Sequence, residues 1–417
     1  MCDKELLENS ERATTVNALD RWETIVMRAA SIIRYTNRKP RQFAFWGLFG
    51  LAIASLASST RAADPIGSPR GNPAAKVDFN RDVRPILSEN CFACHGLDAR
   101  QRKANLRLDR QDDATRDRDG HAVIVPGDVE ASELVARIES DDRSLLMPPP
   151  KSTKSLKPEQ IALLKRWIAE GAAYADHWAF IPPRRPTPPS VRESGWPKTA
   201  IDTFLLARME NEGLAPEPEA DKTTLIRRLA LDLTGLPPTP AEVDAFLADS
   251  TPNAYESLVN RLLDSPRYGE HMARFWLDLA RYGDTHGLHL DNYREMWPYR
   301  DWVIKAFNNN LPFDRFITEQ LAGDLLPNAT TDQIVASGFN RCHVTTSEGG
   351  SIAEEVYVRN VFDRVDTTGT VFLGLTVGCS KCHDHKYDPI AMKDYYSLFA
   401  IFNSLDDNPL DGNAAKY

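Results

Sequence analysis

Two short segments of the sequence place a pair of thiols three positions apart with an imidazole directly after them: Cys91-Phe-Ala-Cys94-His95 and Cys379-Ser-Lys-Cys382-His383. Thiols at this spacing can each add to one vinyl group of a single porphyrin, and the adjoining histidine can turn its ring onto the iron. Attachment and proximal ligation then come from one turn of backbone. With 6 Cys and 9 His among 417 residues, chance supplies about 0.002 such motifs per chain, and two are present. The chemistry indicated is covalent haem c binding at two sites, with Cys91, Cys94, Cys379 and Cys382 as attachment residues and His95 and His383 as iron ligands. Zinc is the alternative, held by each thiol pair or by all four thiols together, but it leaves the histidine after each second cysteine unexplained.

A sixth ligand for the first iron is offered by Met147 in Leu146-Met147-Pro-Pro-Pro150. A thioether opposite histidine raises the reduction potential, and the prolines would stiffen the loop that presents it. For the second iron the candidates are His271, His286, His289, His343 and Met392. His385 lies too close in sequence to His383 to reach the opposite haem face.

The elements that must hold these groups are mainly helical. Phe79, Val83, Ile86 and Leu87 recur at helical spacing into the Cys91 motif. A second helix opens with Pro158 and Glu159, aligns Ile161, Leu164 and Ile168, and stops at Gly171. Between them, Asp128 is placed to cap a helix that turns Leu134 and Ile138 inward. A helical pair flanking a haem loop predicts a small class I-like cytochrome over 76–178. A proline-rich linker follows at 179–196, then a larger, mostly helical domain over 197–405 that carries the second motif, then a tail at 406–417. In the larger domain Thr239-Pro-Ala-Glu242 reads as a capping box, leading into Val243, Phe246 and Leu247. Apolar stripes are expected at Met272, Phe275, Trp276, Leu279 and at Phe313, Phe316, Ile317, Leu321. The stretch 356–377 is β-branched yet partly helical in spacing.

Residues 1–63 read as an extension and signal peptide. Arg38, Lys39 and Arg41 precede an apolar run at 43–57 and small residues ending at Ala63. The run is short for a bilayer span, so cleavage to an exported, periplasmic protein is expected, with membrane anchoring through 43–57 as the alternative. Met27 is the expected start of translation. The net charge of -9 is dispersed, which argues for solubility and against nucleic-acid binding. No phosphate loop, serine elbow or zincin motif is present in the sequence.

The run from Val77 through Cys91–His95, Val125-Pro-Gly127, Met147-Pro-Pro149 and Trp167-Ile-Ala-Glu-Gly-Ala172 resembles the planctomycete-type cytochrome c domain. The remainder is similar to the uncharacterised domain that commonly follows it, through Arg228-Leu-Ala-Leu-Asp-Leu-Thr-Gly-Leu-Pro-Pro238, Trp297-Pro-Tyr-Arg-Asp-Trp302 and Gly378-Cys-Ser-Lys-Cys-His-Asp-His-Lys-Tyr-Asp-Pro389. The resemblance implies haem c binding and electron transfer, with no assigned reaction. It also favours His343, in Arg341-Cys-His343, as the sixth ligand of the second iron. Relatives usually continue into a third domain, so a truncated chain is expected, and they differ from this one at Cys342 and Lys157.

Three functions compete. The first is dihaem electron transfer with a redox partner protein. The second is a peroxidase-like enzyme with an open second iron. The third is a carbohydrate or cell-wall binding module with an attached cytochrome, which would need Trp297, Tyr299 and Trp302 exposed to stack on sugar, although their helical spacing favours burial. The carboxylates of Asp384 and Asp388 are expected in a solvated loop, with haem tuning or calcium binding as alternatives.

Overall fold

The computed structural model describes residues 76–288, 291–405, 408 and 410. The predicted signal peptide, the apolar run at 43–57, Met27 and His289 lie outside these residues. The described chain is mainly helical, as the periodicity requires, and its α-carbons cluster into two compact units. One comprises residues 76–181 with Thr368–Leu405; the other is Pro182–Thr367. The segment bearing the second motif thus clusters with the first motif, and not with the helices that precede it in sequence.

In the first unit the chain enters through a π-helical turn, Phe79–Val83, that runs into helix α1 (Arg84–Asn90). Asp78 starts it by accepting a hydrogen bond from the Arg81 amide at 2.8 Å. The helix breaks at Cys91 and resumes as the single turn α2 (Phe92–His95). Two features absent from the sequence reading follow, the short helix α3 (Gln111–Ala114) and a two-residue hairpin in which Asp117–Arg118 pairs antiparallel with His121–Ala122. Helix α4 (Glu133–Ile138) buries Leu134 and Ile138 as expected, but its N-cap is Ser132, not Asp128. The Ser132 hydroxyl donates to the Asp128 carbonyl at 2.6 Å and accepts from the Val125 amide at 2.9 Å, which braces the turn before the helix. Helix α5 (Pro158–Ala169) ends at Gly171, whose φ of +99° suits a residue without a Cβ. At its start, where relatives favour a hydroxyl over Lys157, the Gln160 side chain accepts from the Lys157 amide at 2.9 Å.

The core of this unit joins α1 to α5. Val83, Leu87, Leu164 and Ile168 are wholly buried. The ring of Phe79 lies 5.7 Å from that of Trp167 and 4.5 Å from that of Tyr174. The Trp167 indole N–H donates to the Ala173 carbonyl at 3.1 Å, so this large ring is buried without an unmet polar group. Trp167→Ala is expected to destabilise the unit by about 3–5 kcal/mol, read as a lowered urea midpoint with an unchanged slope.

The second unit contains α6 (Ala200–Asn211), α7 (Lys222–Thr234), α8 (Pro240–Ala248), α9 (Ala254–Leu263), α10 (Pro266–Leu279), α11 (Trp297–Asn308), α12 (Phe313–Ala322) and α13 (Thr331–Ala336). The capping box is present: the Glu242 amide donates to Thr239 Oγ1 at 3.3 Å, and the Thr239 amide donates to Glu242 Oε2 at 2.8 Å. The ambiguous β-branched stretch is helical as far as Leu373, within α14 (Ala353–Leu373), whose residues up to Thr367 belong to this unit. Each apolar stripe is only half inward. Met272, Trp276 and Phe316 are buried, whereas Phe275, Leu279 and Phe313 are about half exposed. Trp276 and Tyr299 both donate to Gln320 Oε1, at 2.8 and 2.6 Å. Stacked and edge-on rings of Trp276, Phe316 and Trp302 close round this network.

Candidate functional site

At the first motif, Cys91 occupies the break between α1 and α2, and its amide still donates to the Leu87 carbonyl at 2.8 Å. Its own carbonyl accepts from both Cys94 and His95, at 3.0 and 2.8 Å, which winds the next turn. The loop beyond is tied back onto the motif. Lys103 N–H donates to Cys94 O and Leu108 N–H to His95 O, each at 2.8 Å. Arg102 spans the carbonyls of Gly96 (3.0 Å) and Leu97 (2.6 Å). Residue 96 has to be glycine, because a Cβ there would stand 2.4 Å from Phe92 O.

The three side chains are not equivalent. Cys91 packs against the hydrophobic core, and burial, with Cys94 as its neighbour, pushes its thiol up to about 12. Cys94 is exposed. Burial holds the His95 imidazole below its ordinary pKa, which keeps it in the neutral, ligating form. Its Nδ1 is buried and makes no hydrogen bond. Two thiols, one inward and one outward, beside a neutral imidazole with an uncommitted nitrogen fit a covalently attached haem. Met147 is half-buried in a loop anchored to α4, where its amide donates to the Arg137 carbonyl at 2.9 Å.

The second motif sits on a 3₁₀ turn, Val377–Lys381, and the loop after it. Ser380 is wholly buried, with its hydroxyl donating to Ile390 O at 3.0 Å, so the turn is pinned from beneath. Cys379, Cys382 and His383 all face outward. His383 Nδ1 lies 2.8 Å from the Asp384 carbonyl. A carbonyl can only accept, so Nδ1 carries the proton and Nε2 keeps the lone pair a metal needs. Helix α15 (Met392–Phe402) follows: the Met392 amide donates to Asp384 Oδ1 at 2.8 Å, and the Tyr396 hydroxyl donates to the Lys381 carbonyl at 3.0 Å. The rings of Tyr387 and Tyr396 are exposed.

His343 lies in the other unit and is buried. Its Nε2 is 2.9 Å from the Arg364 guanidinium and its Nδ1 is 3.2 Å from the Val344 carbonyl. The guanidinium donor sits on the nitrogen that an iron would take. Of the other candidates, His271 is half-buried against Gly235 and Phe275, His286 is wholly buried, and Met392 is half-buried at the start of α15. Cys342, the odd thiol, is buried and pushed up to about 12, with its sulfur 3.5 Å from the Gly338 carbonyl. It is a small core residue.

Two alternatives fall away and one expectation needs correction. Among the described residues no group of three or more His, Cys, Asp or Glu side chains could hold a metal ion, which removes the joint Cys₄ zinc site and a calcium site at Asp384 and Asp388. Those two carboxylates are structured, not a solvated pair: Asp384 holds the start of α15, and Asp388 Oδ1 is 3.1 Å from Nε2 of His177. The rings a sugar would have to stack on are mostly interior, as their helical spacing favoured, with Tyr299 2% and Trp302 6% exposed against 47% for Trp297.

The profile of the family described as Planctomycete cytochrome C matches residues 91–151, from the first thiol to just past Met147. The chain carries a planctomycete cytochrome c domain. The profile described as Protein of unknown function (DUF1549) matches residues 200–407, which include the second motif. No curated protein and no solved structure matches the chain. The planctomycete cytochrome c domain implies covalently bound haem c, electron transfer and an exported protein. No described helix is long and apolar enough to cross a membrane.

Proposed function

We propose that this protein is an exported, periplasmic dihaem cytochrome that passes single electrons to or from a redox partner protein. One haem c is attached at Cys91 and Cys94 under His95 and Met147, and a second at Cys379 and Cys382 under His383. The observation that carries this reading is that both thiol–imidazole motifs, 288 positions apart in the sequence, belong to one compact unit. When bound, the haems supply reversible one-electron chemistry. The protein's own residues hold the attachment turns rigid, keep His95 neutral and orient His383 through the Asp384 carbonyl. His343 is left out of this ligand set because Arg364 occupies its Nε2.

The test is haem quantification and electron paramagnetic resonance on protein matured in a periplasm with haem-attachment machinery. Two covalent haems per chain, with the first low-spin, are expected. A single haem per chain overturns the dihaem reading, and a high-spin second iron that turns over peroxide favours the enzyme.

A further inference from the structure

We propose that Asp388 is a positioning residue that, through His177, fixes the second attachment loop to the cytochrome c domain and so sets the spacing across which the two haems exchange electrons. This rests on the dihaem reading above and goes beyond it by naming what holds the two sites in register.

His177 follows the last helix of the cytochrome domain and is 7% exposed. Its Nδ1 accepts from the Ala179 amide at 3.3 Å, so its proton is on Nε2, which donates to Asp388 Oδ1 at 3.1 Å. Burial first, and then the charge of Arg84, hold the ring below its ordinary pKa although Asp388 pulls the other way; the neutral tautomer is the one this geometry requires. Asp388 stands five residues after His383, in a loop stiffened from within. Its amide donates to Nδ1 of the buried His385 at 2.8 Å, and the His385 amide donates to Ile390 O at 2.8 Å. His385 Nδ1 is also 3.5 Å from Asp388 Oδ2, but a nitrogen already accepting from the Asp388 amide has no proton for the carboxylate. That carboxylate is therefore left to His177.

On the other side, Arg84 lies on α1 seven residues before Cys91. Its guanidinium donates to Asn80 Oδ1 at 2.8 Å and to Ala175 O at 3.3 Å, and its charge acts on both Asp388 and His177. Arg84 thus holds the segment that leads to His177 against the helix that presents Cys91, and His177 in turn holds the loop that presents His383. Two buried imidazoles are a costly way to tether a surface loop, and they are accounted for if the loop's position matters.

The test uses the full chain carrying its haems, as wild type, His177→Ala, Asp388→Ala and His177→Gln. Two readouts are taken at constant haem content: hydrogen exchange at the His385 and Asp388 amides, and re-equilibration of one electron between the haems after pulsed reduction. In that step one iron goes from ferrous to ferric as the other goes from ferric to ferrous, with no proton moved. Both alanine variants are expected to exchange about tenfold faster at those amides and to re-equilibrate about tenfold more slowly. His177→Gln, whose amide nitrogen can still donate to Asp388, should behave as wild type. Two haems per chain with unchanged exchange and electron transfer in both alanine variants overturn the proposal. A wild type with a single haem overturns the dihaem reading instead, and the proposal with it.

Discussion

Protein carrying Cys91→Ala and Cys94→Ala together is expected to mature with one haem per chain, and the haem that disappears is the higher-potential one. Covalent attachment needs a sulfur for each vinyl group, and this structure offers no substitute nearby: the remaining described cysteines are Cys342, buried in the other unit, and the second motif's own pair. The fold should survive. Cys94 is exposed, and Cys91 is a half-buried residue packed at the margin of a core that rests on Leu87, Leu164, Trp167 and Ile168. The Cys379→Ala, Cys382→Ala protein is expected to lose the other haem, because both of its thiols face outward from a turn held by Ser380. Pyridine-haemochrome counting per mole of protein decides the matter. Loss of both haems from either double variant would mean that one site depends on the other for maturation, and loss of neither would sink the attachment assignment.

Met147→Ala should leave the haem count at two but lower the first midpoint potential by on the order of a few tenths of a volt, given the wide range over which axial ligands set haem potentials. The same substitution should convert the first iron from low to high spin. Met147 is suited to the role because its backbone is tied to Arg137 while its half-buried side chain takes no place in the hydrophobic core. A potentiometric titration with an unchanged upper midpoint would exclude it as a ligand and leave it an ordinary apolar side chain.

The contrast between what the sequence disclosed and what it hid follows from distance along the chain. The spacing of the two thiol–imidazole motifs, the Thr239–Glu242 capping box and the stop at Gly171 depend on residues within five positions of one another, and such local features could be read directly. Phe275 and Leu279 were expected inside because they continue the face of Met272 and Trp276. Periodicity marks a face but not how far the neighbouring helices extend across it, and here the cover stops short of those two. Tyr299 and Trp302, whose helical spacing favoured burial, are indeed interior and packed against Gln320 and Phe316. The His177–Asp388 contact joins residues 211 positions apart, and no local pattern could have announced it. The nearest signal was a carboxylate-rich loop beside a haem motif, which a solvated loop explains equally well.

That long-range contact also bears on the order of assembly. The unit that contains both motifs is interrupted by Pro182–Thr367, so His177 leaves the ribosome long before its partner is synthesised. Closing so large a loop adds only a few kcal/mol of chain entropy, because that term grows with the logarithm of length. Contacts between residues so distant in sequence nevertheless slow folding. The turn at the first motif therefore rests on neighbouring residues alone, whereas the loop at the second gains its anchor only when a contact across 211 positions has formed.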